Sequence, residues 1–94
     1  MELIQIRYFL SAAVHHNFTR AAEELYATQP TVSKQIALLE KELGVQLFIR
    51  DKQGVTLTYA GQQLYPDFKK AIELIDTAVQ QTTKAADDPH GRIV

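Results

Sequence analysis

The 94-residue chain contains no cysteine and no tryptophan, and only one methionine, three prolines and four glycines. Without cysteine there is no disulfide scaffold, no thiolate zinc site and no cysteine nucleophile. Three histidines are left to support any metal chemistry. Two of them, His15 and His16, are neighbours whose side chains point about 100° apart on a helix, so they cannot chelate one ion as an i, i+4 pair does. Asp87 and Asp88 near His90 resemble a metal cluster only in composition and read as a polar linker. No Ser, His and Asp set suggests nucleophilic catalysis and no glycine-rich loop suggests a nucleotide, so neither an enzyme nor a cofactor is expected. Long apolar runs are missing as well. The longest stretch free of charge, Gln53 to Pro66, is rich in Gln, Thr, Gly and Tyr, far from the roughly 20 apolar residues of a membrane span. The amino terminus places Glu2 before its first apolar residues and Arg7 after them. That order is the reverse of a secretory leader and implies a cytoplasmic protein without a membrane partner.

What remains is the composition of an ordinary globular chain, 46% hydrophobic and 22% charged, long enough for one small core. Ten bases against eleven acids give a net charge of −1, an unpromising total for a polyanionic partner. Distribution matters more than the sum. From Met1 to Gln63 the six bases Arg7, Arg20, Lys34, Lys41, Arg50 and Lys52 balance six acids, yet Thr28 to Leu39 holds no carboxylate at all.

Periodicity predicts a first helix over Leu3 to His16, with apolar residues at 3, 4, 6, 9, 10, 13 and 14 on one face. Thr19 is a suitable N-cap for a short helix from Arg20 to about Tyr26, with Ala21, Ala22 and Leu25 inward. A third helix starts near Gln29, where Pro30 is tolerated in the first turn. Its inward stripe is Val32, Ile36, Leu39 and Leu43, and Gly44 supplies a left-handed stop. Pro30, Lys34, Ala37 and Lys41 face outward, flanked by Thr31 and Ser33. Leu47 to Arg50 and Val55 to Leu57, separated by Asp51-Lys52-Gln53-Gly54, read as a hairpin leaning on the helices through Leu47, Ile49, Val55 or Leu57. Thr58 caps a last helix from Tyr59 to about Lys84, bent at Pro66 and packed at its start through Tyr59, Leu64 or Tyr65. Within it Leu64, Phe68, Ala71, Ile75, Ala78 and Thr82 recur in alternating steps of four and three, the seam of a coiled coil, widened by Tyr65, Ile72 and Val79. Too much apolar surface is left for a single chain, so Leu64, Phe68, Ala71, Ile72, Ile75 and Val79 are expected to dimerise it.

A tight turn followed by a helix whose first part lacks carboxylates is suited to a DNA major groove. Gln29 can bond an adenine bidentately, Thr31 and Ser33 can donate to base or phosphate, Lys34 can reach guanine or phosphate, and Pro30 offers apolar surface to a thymine methyl. Acids there would be repelled by phosphates. The hairpin adds Arg50 and Lys52, in the manner of a winged helix whose wing touches the adjacent backbone or minor groove. The competing reading is a protein-interaction module that uses the helices as a platform and the long helix as one strand of a coiled coil. The near-zero charge is its main support.

Leu3-Ile4-Gln5-Ile6-Arg7-Tyr8-Phe9, Phe18-Thr19-Arg20-Ala21-Ala22-Glu23-Glu24-Leu25 and Thr28-Gln29-Pro30-Thr31-Val32-Ser33-Lys34-Gln35-Ile36 together resemble the amino-terminal domain of LysR-type transcriptional regulators. The likeness continues through Leu38-Leu39-Glu40, Leu43-Gly44-Val45, Leu47-Phe48, Arg50, Leu57-Thr58 and Ala60-Gly61, and covers about 85 residues. It implies a mostly α fold: a winged helix-turn-helix of three helices and a two-stranded wing over residues 1–58, then a dimerising linker helix over 59–85. Residues 86–94 are then an interdomain linker, with Gly91-Arg92-Ile93-Val94 resembling the start of an effector-sensing domain absent from this fragment. It further implies double-stranded DNA as partner, bound as a homodimer on a partly palindromic operator, with dimer and tetramer both open for the full-length bacterial protein. A small-molecule inducer would act only through the absent domain. Carried over residue by residue, Gln29, Pro30, Ser33 and Lys34 approach bases, Arg20, Thr28 and Thr31 the backbone, and Arg50 and Lys52 the groove beside the wing. Gln53 departs from the pattern, standing in a wing turn where many relatives carry a base.

Overall fold

A computed structural model of the chain describes residues 1–87, which form three helices, a hairpin and one long helix. The expected strand start at Gly91 to Val94, like most of the proposed linker, lies outside the described residues.

Helix α1 (Leu3–His15) begins where the Glu2 backbone N–H donates to Gln5 Oε1 at 3.0 Å. It ends at His16, which adopts left-handed backbone with φ 55°. The expected one-sided apolar face is corrected: Leu3, Ile4 and Val14 are exposed, whereas Gln5, Tyr8, Ser11 and Ala12 are buried beside Ile6, Phe9 and Ala13. The reason is its central place. α1 touches α2, α3, α4 and the hairpin, so it is covered from more than one side. Its two buried polar side chains are satisfied, Gln5 by Gln35 of α3 and Ser11 by Glu24 of α2.

Helix α2 (Phe18–Glu24) is capped by Asn17, not Thr19, the Asn17 Oδ1 accepting the Arg20 N–H at 2.9 Å. Capping two residues earlier puts Phe18 inside the first turn, where its ring meets Phe48 edge-on at 5.4 Å. A Thr19 cap would leave that aromatic outside the helix. The helix also stops before Tyr26, which takes a left-handed φ of 57° and opens the turn to α3. Helix α3 (Gln29–Leu43) carries Pro30 in its first turn and closes at Gly44 with φ 75°. Val32, Ile36 and Leu39 are fully buried, each worth about 1.5–3 kcal/mol relative to exposure. Leu43, expected on that stripe, lies beyond the edge of the core and is 38% exposed.

Strands β1 (Phe48–Asp51) and β2 (Gly54–Leu57) pair antiparallel, Phe48 opposite Leu57 and Arg50 opposite Val55. Leu47, Phe48 and Val55 are buried, so of the four candidate anchors Leu47 and Val55 are fully engaged, whereas Ile49 is 54% exposed. Alternation explains the exchange, since Phe48 and Arg50 share the face turned to the helices and Ile49 must take the other. Gly54, at φ 136°, lies so close to α1 that a Cβ would stand 2.2 Å from the His16 carbonyl oxygen, the acceptor of the Val55 N–H.

Helix α4 (Tyr59–Ala86) starts on Thr58, whose Oγ1 accepts the Gly61 N–H at 3.1 Å and donates to the Gln46 carbonyl at 2.7 Å. Its 28 residues make a rod of about 42 Å. The helix is continuous through Pro66, which has no N–H to bond one turn back. Leu64, Tyr65 and Phe68 pack on the core and Ile72 is buried, while Tyr59, the third candidate for the contact at the start of the helix, is 77% exposed. Phe9 binds this junction together, with ring centroids 5.5 Å from Phe48, 5.8 Å from Phe68 and 6.4 Å from Tyr65.

Candidate nucleic-acid interface

The exposed side of α3 is built by the same periodicity that buries Val32, Ile36 and Leu39. Pro30, Thr31, Lys34, Ala37, Leu38 and Lys41 lie in solvent, and Gln29 and Ser33 are half-buried at its margins. The Thr28 hydroxyl bonds the Thr31 hydroxyl at 2.9 Å and makes no cap bond to the backbone. The first-turn N–H groups therefore carry no side-chain cap, and the positive end of the helix dipole is left for an anion. With Lys34 as its one charge over this stretch, the helix tip is cationic within a chain of net charge −1.

Side-chain hydrogen bonds tie this helix to its neighbours. Gln35, half-buried, accepts from Gln5 Nε2 at 3.0 Å, pinning the middle of α3 to α1. Glu40 Oε2 accepts the backbone N–H groups of Leu47 at 2.7 Å and Phe48 at 3.3 Å, so the far end of α3 caps the start of the hairpin. Glu40 is thus a ligand of the backbone rather than a free surface acid, a role that sequence spacing alone gave no sign of.

Arg20 stands exposed on α2, with Asn17, Thr19, Glu23, Glu24 and His15 around the adjoining cleft. His15 Nε2 lies 2.8 Å from Glu24 Oε2. That contact, followed by the Ser11 hydroxyl, holds the Glu24 carboxyl below its ordinary range. Lys52 occupies the hairpin turn beside Gln53, whose N–H is held by Asp51 Oδ1 at 2.8 Å. Arg50 is not at the wing tip. It projects from the same face of β1 as Phe48 while remaining exposed, its guanidinium 4.7 Å from the centroid of the Phe18 ring and donating to the Ser33 hydroxyl. The structure therefore joins Arg50 to Ser33 and leaves Lys52 apart. Strand alternation, which puts Arg50 on the face of Phe48, was the available signal for this placement.

The expected pairing surface divides in two. Leu64 and Phe68 are partly buried against the chain's own core and Ile72 is buried. Ala71, Ala78 and Val79 are exposed, Ile75 is half-exposed, and Leu74, absent from the expected set, is 70% exposed on the same flank. The division arises because α1 covers α4 along one side, where Arg7 makes a two-point contact with Asp76 at 2.8 and 3.3 Å. That contact raises the Arg7 pKa and lowers that of Asp76.

With this geometry in view, residues 3–62 match the model of the family described as bacterial regulatory helix-turn-helix protein, lysR family. The chain is 43% identical over all 94 residues to the HTH-type transcriptional regulator BudR of Raoultella terrigena, covering 32% of that protein. It is 44% identical over 84 residues to the Hca operon transcriptional activator HcaR of Escherichia coli, covering 89% of this chain and 28% of HcaR. The chain thus spans less than a third of the length of either regulator. Among solved structures, the CbnR DBD–DNA complex superposes with a TM-score of 0.83 at 35% identity, covering 92% of this chain and 99% of that one. The BenM DBD/catB site 1 DNA complex gives 0.86 at 38% identity, covering 92% and 96%.

Proposed function

The chain belongs to the lysR family of bacterial regulatory helix-turn-helix proteins, and on that premise we propose that it is the sequence-reading module of a bacterial transcription regulator, binding double-stranded DNA through α3. The observation that carries this reading is the exposed, carboxylate-free first half of α3, where Pro30, Thr31 and Lys34 stand in solvent at an uncapped helix start. The likeness to two domains solved as DNA complexes supports it. Gln29, Pro30, Ser33 and Lys34 read base edges, while Arg20, Thr28 and Thr31 bear on phosphates. Residues 1–58 form the reading unit and 59–85 the pairing helix, which joins a second copy through the flank of Ala71, Leu74, Ile75 and Val79. Two α3 helices are then offered to half-sites about 34 Å apart, or a multiple of that, on a partly palindromic site. A sensor domain for a small-molecule inducer, outside this chain, would govern the outcome in the cytoplasm, and the module itself binds rather than catalyses.

Selection of bound duplexes from a random pool, followed by fluorescence anisotropy on the winner, tests this directly. A defined two-fold related sequence is expected, with affinity falling on a log–log salt plot by about 0.9 per phosphate neutralised. Equal binding to every duplex and a flat salt response would overturn it.

A further inference from the structure

We infer that Arg50 is a positioning residue for base selection: it fixes the Ser33 hydroxyl as a hydrogen-bond donor, so that Ser33 selects a base edge presenting an acceptor. The inference rests on the DNA-binding reading above and adds to it a polarity rule for one contact.

The geometry begins with strand alternation. Arg50 pairs with Val55 across the hairpin and projects from the same face of β1 as Phe48, but where Phe48 is buried Arg50 stays exposed. Its side chain crosses the Phe18 ring with the guanidinium carbon 4.7 Å from the centroid. One Nη then donates to Ser33 Oγ. Stacking on the ring and bonding the hydroxyl together immobilise a long side chain that would otherwise sample many rotamers, and the planar fork suits both at once. The buried Phe18 makes the platform rigid, since its ring is wedged edge-on against Phe48.

The consequence is electrostatic. A serine hydroxyl has one hydrogen to give and two lone pairs to receive. Here a cation occupies the accepting side, so a second donor approaching Ser33 meets both a used lone pair and a positive charge. The remaining hydrogen is free to turn toward the open face of α3. In the major groove it matches guanine N7 and O6, adenine N7 or thymine O4, and it rejects the amino groups of cytosine N4 and adenine N6. A serine without Arg50 would accept from those amino groups as readily as it donates, and would choose poorly.

The experiment uses the whole chain and the duplex obtained by selection, with every single-base-pair variant of that duplex. Affinities are measured for the unaltered chain, Ser33→Ala, Arg50→Met and the double variant. Ser33→Ala is expected to erase a preference at one base position per half-site, where guanine or thymine, which offer acceptors and no major-groove donor, is favoured about tenfold over cytosine, which offers its N4 amino group. Arg50→Met should narrow that same preference to about threefold or less, leave the other positions unchanged and leave the salt slope unchanged. The double variant should match Ser33→Ala at that position. Arg50→Lys keeps the charge and the stem over Phe18 but lacks the fork, and it should narrow the preference likewise even if Arg50→Met does not fold. The inference is overturned if the Arg50 variants keep the preference intact, if they weaken all duplexes alike with a salt slope smaller by about 0.9, the mark of a lost phosphate contact, or if Ser33→Ala changes no base position. Absence of any sequence preference in the unaltered chain overturns the functional reading itself, which separates the two failures.

Discussion

At the scale of single residues, the chain assigns similar side chains to different work according to what surrounds them. Gln29 and Gln35 lie six positions apart on α3. Gln35 is spent on Gln5 of α1, while Gln29 keeps its amide at the open end of the helix. Replacing Gln29 by alanine should lose about 1–3 kcal/mol of discrimination at one base position, whereas Arg20→Ala should weaken binding to all sequences alike. Competition anisotropy with the selected duplex and its variants distinguishes the two patterns. A second residue-scale prediction concerns acid. The Asp76 carboxyl is held low by its hydrogen bonds to Arg7 and then by the charge itself. A carboxyl with a folded pKa below its unfolded one stabilises the fold above the unfolded value, about 3.9 for Asp, and loses that contribution as pH falls through the folded value. Thermal melts between pH 7 and 2.5 should therefore converge for Asp76→Asn and the unaltered chain at the acid end. Near neutrality the variant should melt slightly lower, since an exposed pair contributes little.

Elements are held to one another by backbone-directed contacts rather than by apolar packing alone. Glu40 closes the gap between α3 and the hairpin by accepting two N–H groups. Glu40→Ala leaves both donors without that partner and should cost about 1.5–3 kcal/mol in urea unfolding, the range for hydrogen bonds to charged groups. The hairpin and α4 approach even more closely. A Cβ on Gly61 would stand 2.4 Å from the Leu47 carbonyl oxygen and 2.9 Å from Leu57 Cδ2. Gly61→Ala should accordingly lower the melting temperature, despite the alanine's better helix propensity, because the first turn of α4 must lift off the hairpin. An unchanged or raised melting temperature would mean that this approach is not tight in solution.

At the scale of the whole molecule, the principal extents of 56 × 25 × 20 Å describe a small core with a rod running out from it. The outer part of this rod carries an exposed apolar flank that includes Leu74, Ala78 and Val79. Leu74→Glu or Val79→Glu should abolish pairing in sedimentation equilibrium while leaving the melting of the single chain nearly unchanged, since both side chains are already exposed, at 70% and 59%. Ile72→Ala should do the reverse, destabilising the fold by about 2–5 kcal/mol as a buried aliphatic is truncated. Loss of DNA affinity in the two glutamate variants, with the monomer intact, would tie pairing to binding.

Much of this architecture was readable along the chain, because the signals involved act over a few residues. Pro30 and Gly44 bound α3, Thr58 starts α4, and the polar Asp51 to Gly54 stretch makes the hairpin, its two ends pairing to leave Lys52-Gln53 as the turn, each through backbone preferences that need no distant partner. The outward face of α3, with Pro30, Thr31 and Lys34 on it, follows from the burial of Val32, Ile36 and Leu39 on the other side. What sequence could not assign were choices made between elements. Asn17 and Thr19 are both good caps, and only the seat for Phe18 beside Phe48 selects the first. Leu64, Phe68 and Ile72 share an apolar pattern with Ala71, Ile75 and Val79, and only the docking of α1 decides which of them lie against the core. Arg50 and Ser33 are 17 positions apart, and no periodicity links a strand to a helix over that distance. Local propensity and spacing determine the elements and their faces; the packing of one face on another determines which side chains meet, because burial is a property of the pair.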